Sequence, residues 1–145
     1  MSAEAARTFL AQLPHARELG IELLAVDPGA GRCSFRQPWR AELVGDPERQ
    51  ILHGGVITSL LDTLAAAAAI ARGVPLQATL DLRVDYLRPA AAQQDLIAEA
   101  ECYRVTRHVA FVRGVCHQGD ATRPVANLTA TFVVADRVTP VGTPP

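Results

Sequence analysis

A chain of 145 residues with 49% hydrophobic and 20% charged side chains has room for one core, and a domain of that size buries roughly 70% of the surface its unfolded chain would expose. A formal net charge of −1 excludes a global electrostatic pull toward nucleic acid or an anionic membrane. No stretch combines low hydropathy with high net charge, which excludes extended disorder as the organising feature.

Taken in chain order, residues 1–13 read as an N-terminal helical segment, with a short helix over 3–13 that stops near Pro14. Residues 19–26 read as a first strand, and Asp27, Pro28, Gly29 and Gly31 form a turn. Residues 32–38 return as a hairpin partner, since Cys33, Phe35 and Gln37 alternate with Ser34 and Arg36. Residues 39–52 are expected to be a loop. The strong helix signal follows over 56–71, or about 54–72 with its ends: it is rich in alanine and leucine, opens directly after Gly54 and Gly55, and meets Gly73 and Pro75 just past its end. Apolar residues lie on nearly every face of it, so it is expected to be enclosed by sheet or by a partner subunit.

Three or four further strands are expected, over 78–87, 96–105, 109–117 and 125–134, separated by Pro89, Gly119, Asp120 and Pro124. A strand hairpin, one long buried helix and then several long strands make an α+β layout, with a curved antiparallel sheet of five to six strands wrapped around a central helix. One domain over 14–138 accommodates it. The tail 139–145 has three prolines and is expected to fray.

The longest apolar run, 64–71, is too short to cross a bilayer, and no basic segment followed by an apolar one opens the chain, so no membrane partner and a cytoplasmic location are expected. Cys33, Cys102 and Cys116 are odd in number and far apart, with no CxxC pair. They read as reduced core residues, with neither a disulfide framework nor a metal site indicated. All 14 basic residues are arginine, and six of them (Arg83, Arg88, Arg104, Arg107, Arg113, Arg123) precede the last strand in the C-terminal half. That leaves a local anion site open beside the plainer reading of solvated strand faces.

Chemistry concentrates around the start of the long helix. His53, Gly54 and Gly55 stand where a loop enters it, and the first-turn N–H groups there lack intrahelical partners and carry the positive end of the helix dipole. Glycines let another molecule's carbonyl approach the backbone, so the Gly55 N–H is the leading candidate to stabilise a developing oxyanion. His53 itself is expected to fix the turn by hydrogen bonding. Asp62, amid Leu60, Leu61, Leu64 and a run of alanines, is either a paired, protonated or functional carboxyl group or one on an exposed stripe with Thr58 and Arg72. A carboxylate in apolar surroundings can serve as a general base on water or as a nucleophile. Gly55 and Asp62 are seven residues apart, about 10 Å along one helix, so a single substrate carbonyl cannot touch both. Two subunits with antiparallel helices would bring Asp62 of one to Gly55 of the other, which makes a homodimer part of the expectation and leaves a homotetramer open.

With His53, Gly54 and Gly55 followed by an acid nine positions after the histidine, the chain resembles the PaaI-like branch of hotdog-fold acyl-CoA thioesterases. The resemblance runs over residues 14–135 and includes Arg17, Leu19, Gly20 and Ile21 at the opening, the strand from Thr79 through Tyr86 and Arg88 to Pro89, and the closing strand 125–132. It implies a hotdog fold and hydrolysis of acyl-CoA with no cofactor, coenzyme A being part of the substrate. The resemblance casts Asp62 as the carboxylate that activates water or resolves an anhydride, the Gly55 N–H as the group that polarises the carbonyl, and Thr79 as a holder of the water. His53, Gly54, Asp46, Gln50, Arg88, Arg104 and Arg107 are the expected substrate-binding residues, the arginines through CoA phosphates. The chain departs from the family pattern at Asp46, where many relatives carry an amide that an ionised carboxylate cannot imitate as a donor, with Gln50 as a possible substitute. It departs again at 104–108, where a usual glycine is replaced. A non-catalytic acyl-CoA-binding module and a hotdog hydratase or dehydratase are the alternatives.

Overall fold

A computed structural model describes residues 3–135. The tail expected at 139–145 and the expected domain end at 138 lie outside the described residues. Helix α1 (Ala3–Gln12) buries Ala6 and Leu10. The chain does not run straight into a strand after Pro14, as the sequence suggested, but forms a second short helix, α2 (Pro14–Leu19). Proline is at home in the first turn of a helix, where its missing N–H is not needed. Gly20 then ends α2 in the left-handed region at φ 71°, and the Ile21 N–H donates to Ala16 O at 3.0 Å. Strand β1 (Glu22–Asp27) therefore starts later than expected and pairs with β2 (Arg32–Gln37) as the expected hairpin. The expected loop over 39–52 contains a single 3-10 turn (Ala41–Leu43) and a small ladder of β3 (Val44–Asp46) with β4 (Ile51–Leu52).

Helix α3 spans Gly54–Ala71 and is followed by β5 (Leu76–Tyr86), β6 (Leu96–Val105), β7 (Val109–His117) and β8 (Ala126–Val134). The six long strands form one antiparallel sheet in the order β1-β2-β6-β7-β8-β5. The inner face of that sheet is lined by small side chains, among them Ala98, Ala100, Ala110, Ala126 and Ala130, and α3 meets it with Ala65, Ala67, Ala68 and Ala69. Small residues on both sides let the helix axis sit close to the sheet, while Leu60, Leu61, Leu64, Phe35 and Phe132 fill the remaining volume at no exposure above 2%. Each such leucine contributes about 1.5–3 kcal/mol through burial. By length and hydropathy α3 would pass for a membrane span, but its apolar surface is consumed by the sheet on one side and by α1 on the other. Cys33, Cys102 and Cys116 are unbridged and buried, and burial pushes the Cys33 and Cys116 thiols up to about 12.

Two strands end the sheet, and β5 is the long one. It pairs only with β8 among the described residues, and it exposes Leu80 and Tyr86 by more than half.

Candidate active site

The start of α3 is constrained from several directions. His53 is its N-cap, and the Gly55 N–H donates to His53 Nδ1 at 2.8 Å. The turn-fixing role expected of His53 is what the geometry provides, with a consequence for Gly55: the N–H expected to be free is engaged by the imidazole in this state. A Cβ at Gly55 would lie 2.8 Å from His53 Nδ1, and one at Gly54 would lie 3.3 Å from the Tyr86 ring. A side chain at either position would push a neighbour out of place. The loop below is equally close, because a Cβ at Gly45 would lie 2.7 Å from His53 Cα, and the His53 N–H donates to Leu43 O at 2.9 Å.

Two turns along α3, Asp62 is half-buried, and its Oδ1 accepts from the Thr79 hydroxyl at 3.1 Å. The open question about Asp62 resolves between its two alternatives: it lies on a partly open stripe with Thr58, as one had it, and is hydrogen-bonded, as the other required. No salt bridge among the described residues includes it. Arg72 turns elsewhere and donates to Cys102 O. Thr79 reaches Asp62 because β5 runs antiparallel to α3 and turns Thr79, Leu82, Val84 and Tyr86 toward it.

That same arrangement brings in two residues that the motif did not mark. Tyr86 Oη donates to Gly54 O at 3.0 Å, Thr58 Oγ1 donates to Gly54 O at 3.3 Å, and the two hydroxyls touch each other. Thr58 could have been found by spacing, since it is four residues from both Gly54 and Asp62 and so shares their helix face.

Asp46 and Gln50 are not gathered into this group. Asp46 holds its own turn: Oδ1 accepts from the backbone N–H groups of Glu48 at 3.1 Å and Arg49 at 3.0 Å, and Oδ2 accepts from Arg49 Nε at 2.7 Å. The bonds from the Arg49 backbone and then its guanidinium hold the carboxyl below its ordinary range, so it is ionised and has no proton to donate. Gln50 has φ +52° and spends its amide on Pro47 O at 2.7 Å. In this state both side chains are engaged in building the loop.

The three expected arginines are also dispersed. Arg88 lies just past Tyr86, at the N-terminal end of α3, and donates to Pro124 O. Arg104 and Arg107 belong to the β6–β7 hairpin, where Arg107 lines a cavity of about 630 Å³ with Arg72 and Gly73 at the far end of α3. Eighteen residues of helix separate the two ends by about 27 Å. A bulge between Cys102 and Arg104 persists without the glycine usual nearby. A second concavity, about 800 Å³, crosses the outer face of the sheet between Arg32, Glu99 and Arg113, and none of the expected site residues lines it.

The sequence profile described as the thioesterase superfamily matches residues 49–125, which include the whole of α3 and Tyr86. A medium/long-chain acyl-CoA thioesterase of Salmonella typhimurium, YigI, is 32% identical over 87% of this chain and 88% of its own. Among solved structures, a protein of Pseudomonas aeruginosa is 37% identical, with a TM-score of 0.80 over 91% of this chain and 98% of its own. A mutant of the phenylacetic acid degradation protein PaaI from Thermus thermophilus is 28% identical, with a TM-score of 0.74 over 85% of this chain and all of its own.

Proposed function

The chain belongs to the thioesterase superfamily, with the hotdog fold, and is an acyl-CoA thioesterase; from that premise we propose that Asp62 of one subunit and Gly55 of a second act on the same thioester. The thioester oxygen takes the Gly55 N–H in place of the His53 imidazole. Asp62 draws a proton from water, the resulting hydroxide adds to the carbonyl carbon, and the C–S bond breaks as the leaving thiolate takes the proton held by Asp62, releasing acid and CoA thiol. The Thr79 hydroxyl holds one oxygen of the carboxylate, leaving the other for water. Direct attack by the carboxylate, forming an anhydride that water then opens, uses the same geometry. Neither route calls on a metal or an organic cofactor.

The observation that carries this reading is the half-buried Asp62 carboxylate, free of any cationic partner among the described residues and oriented by Thr79. A dimer is supported by β5: its long free edge and exposed Leu80 suit pairing with the same edge of a second copy, which would lay the two α3 helices side by side and antiparallel. The separation of Arg88 from Arg107 then becomes an advantage, because the N-terminal end of one α3 meets the C-terminal end of the other, and arginines of two chains can share the CoA phosphates. The proposed acyl group is medium to long, after the YigI relatives. Asp62→Asn, assayed by thiol release from a series of acyl-CoAs, is expected to bind substrate and release CoA at least about a hundredfold more slowly; steady-state turnover at the unaltered rate would overturn the assignment.

A further inference from the structure

The Gly54–Gly55 peptide is held at both of its polar ends by side chains from three places in the chain. Its N–H donates to His53 Nδ1 at 2.8 Å, while its carbonyl oxygen accepts from Tyr86 Oη at 3.0 Å and Thr58 Oγ1 at 3.3 Å. The hydroxyls of Tyr86 and Thr58 also touch. Two hydroxyl protons therefore serve three contacts, and only one of those contacts bypasses Gly54 O, so at least one proton within the cluster falls on that oxygen. Tyr86 faces α3, opposite buried Ala126 in the sheet register, yet it is 54% exposed because it ends the edge strand beside the open helix start.

We infer that Tyr86, supported by Thr58, is a positioning residue for thioester hydrolysis: it fixes the plane of the Gly54–Gly55 peptide and strengthens its N–H as a donor. The inference rests on the proposed oxyanion role of that N–H. The physical link is amide resonance. A hydrogen bond to the carbonyl oxygen draws electron density from nitrogen across the partial double bond, and such chains strengthen by about 10–30% per bond. The clamp has a second effect, on orientation. An incoming thioester must displace His53 from the N–H, and at that moment the peptide is held by its carbonyl alone, where the two hydroxyls reinforce the single backbone bond of the first helical turn. Held from its carbonyl side, the N–H keeps its direction while its partner changes. No amide from the preceding loop shares the task, because Asp46 and Gln50 are bound within their own turn.

Tyr86→Phe keeps the ring against Gly54 and removes only the hydroxyl. Its kcat is expected to fall about tenfold, less than the 10²–10³ lost when an oxyanion donor is itself removed, with KM within about twofold of the original. Thr58→Val in the same chain is expected to deepen the loss. The second measurement is infrared and needs no turnover. The probe is the ketone analogue of decanoyl-CoA, in which methylene replaces sulfur, labelled with 13C at the carbonyl. Bound to the original protein, its C=O stretch is expected to move to lower wavenumber than in solution, and the shift is expected to shrink in Tyr86→Phe at an unaltered thermal midpoint. An equal shift in both proteins, or an unaltered kcat, overturns the role of Tyr86. Absence of any shift in the original protein overturns instead the assignment of the Gly55 N–H, and the inference with it.

Discussion

Over its first turns α3 places Gly54, Thr58 and Asp62 on one half-open stripe, and each meets its neighbour through a polar atom: Tyr86, Gly54 and Thr79 respectively. From Leu64 onward the same helix offers mainly aliphatic atoms, and Leu64, Ala65, Ala67, Ala68, Ala69 and Ala71 have no measurable exposure. One half is positioned by direction, because a hydrogen bond fails when its donor is turned. The other is positioned by volume, because an alanine against an alanine admits no larger group. A substitution should therefore reveal its half by what it damages: chemistry in the first, stability in the second.

The largest expected effect breaks the first half without touching the second. Asp62→Asn should lower kcat by about 10²–10⁴-fold, the range for losing a general base, at nearly unaltered stability. Gly55→Ala should also be impaired, since its Cβ would lie 2.8 Å from His53 Nδ1. Mixing the two impaired proteins after unfolding and refolding sharpens the result. Random pairing gives one half mixed dimers, each with one intact site assembled from the two chains, so about a quarter of the original activity should return. No recovery in demonstrably mixed dimers would mean that each chain holds a complete site.

In the second half, Ala68→Leu adds three carbons where there is no space. The expected cost is about 1–3 kcal/mol, with a thermal midpoint lower by at least about 3 °C and an unaltered kcat per folded molecule. Loss of kcat at full stability would show that the two halves are coupled.

This division also explains what could be read from the sequence. Strands β6 and β7 have the bounds their alternation implied, since one face is buried and the other wet. Helix α2 and the β3–β4 ladder were missed because elements of two to six residues are held by contacts distant in sequence, and Pro14 signals a helix start as readily as a stop. In the candidate site, the spacing from His53 to Asp62 was legible, and the resemblance pointed to Thr79, which the structure places in hydrogen-bond contact with Asp62. Tyr86 stood within the recognised strand, but its bond to Gly54 depends on β5 lying antiparallel against α3, which no local pattern encodes. Asp46 and Gln50 are the opposite case. A polar side chain that satisfies its own turn looks, in sequence, like one offered to a ligand.

Asp46 supplies the smallest expected effect and a test of that last point. Asp46→Asn keeps an oxygen to accept from the Glu48 and Arg49 N–H groups and removes only the charge that Arg49 faces. The folded carboxyl titrates below its ordinary value of 3.8, so the folded state favours the ionised form. Its contribution to stability is then fully present above 3.8 and is lost as pH falls through the lower, folded value. The thermal midpoint of Asp46→Asn should therefore lie slightly below the original at pH 7, and the gap should close in acid beneath 3.8, with kcat/KM the same throughout the range where the enzyme is active. A pH-independent gap accompanied by a change in kcat/KM would return Asp46 to the substrate, because a carboxylate that only closes its own turn has no means of reaching the thioester.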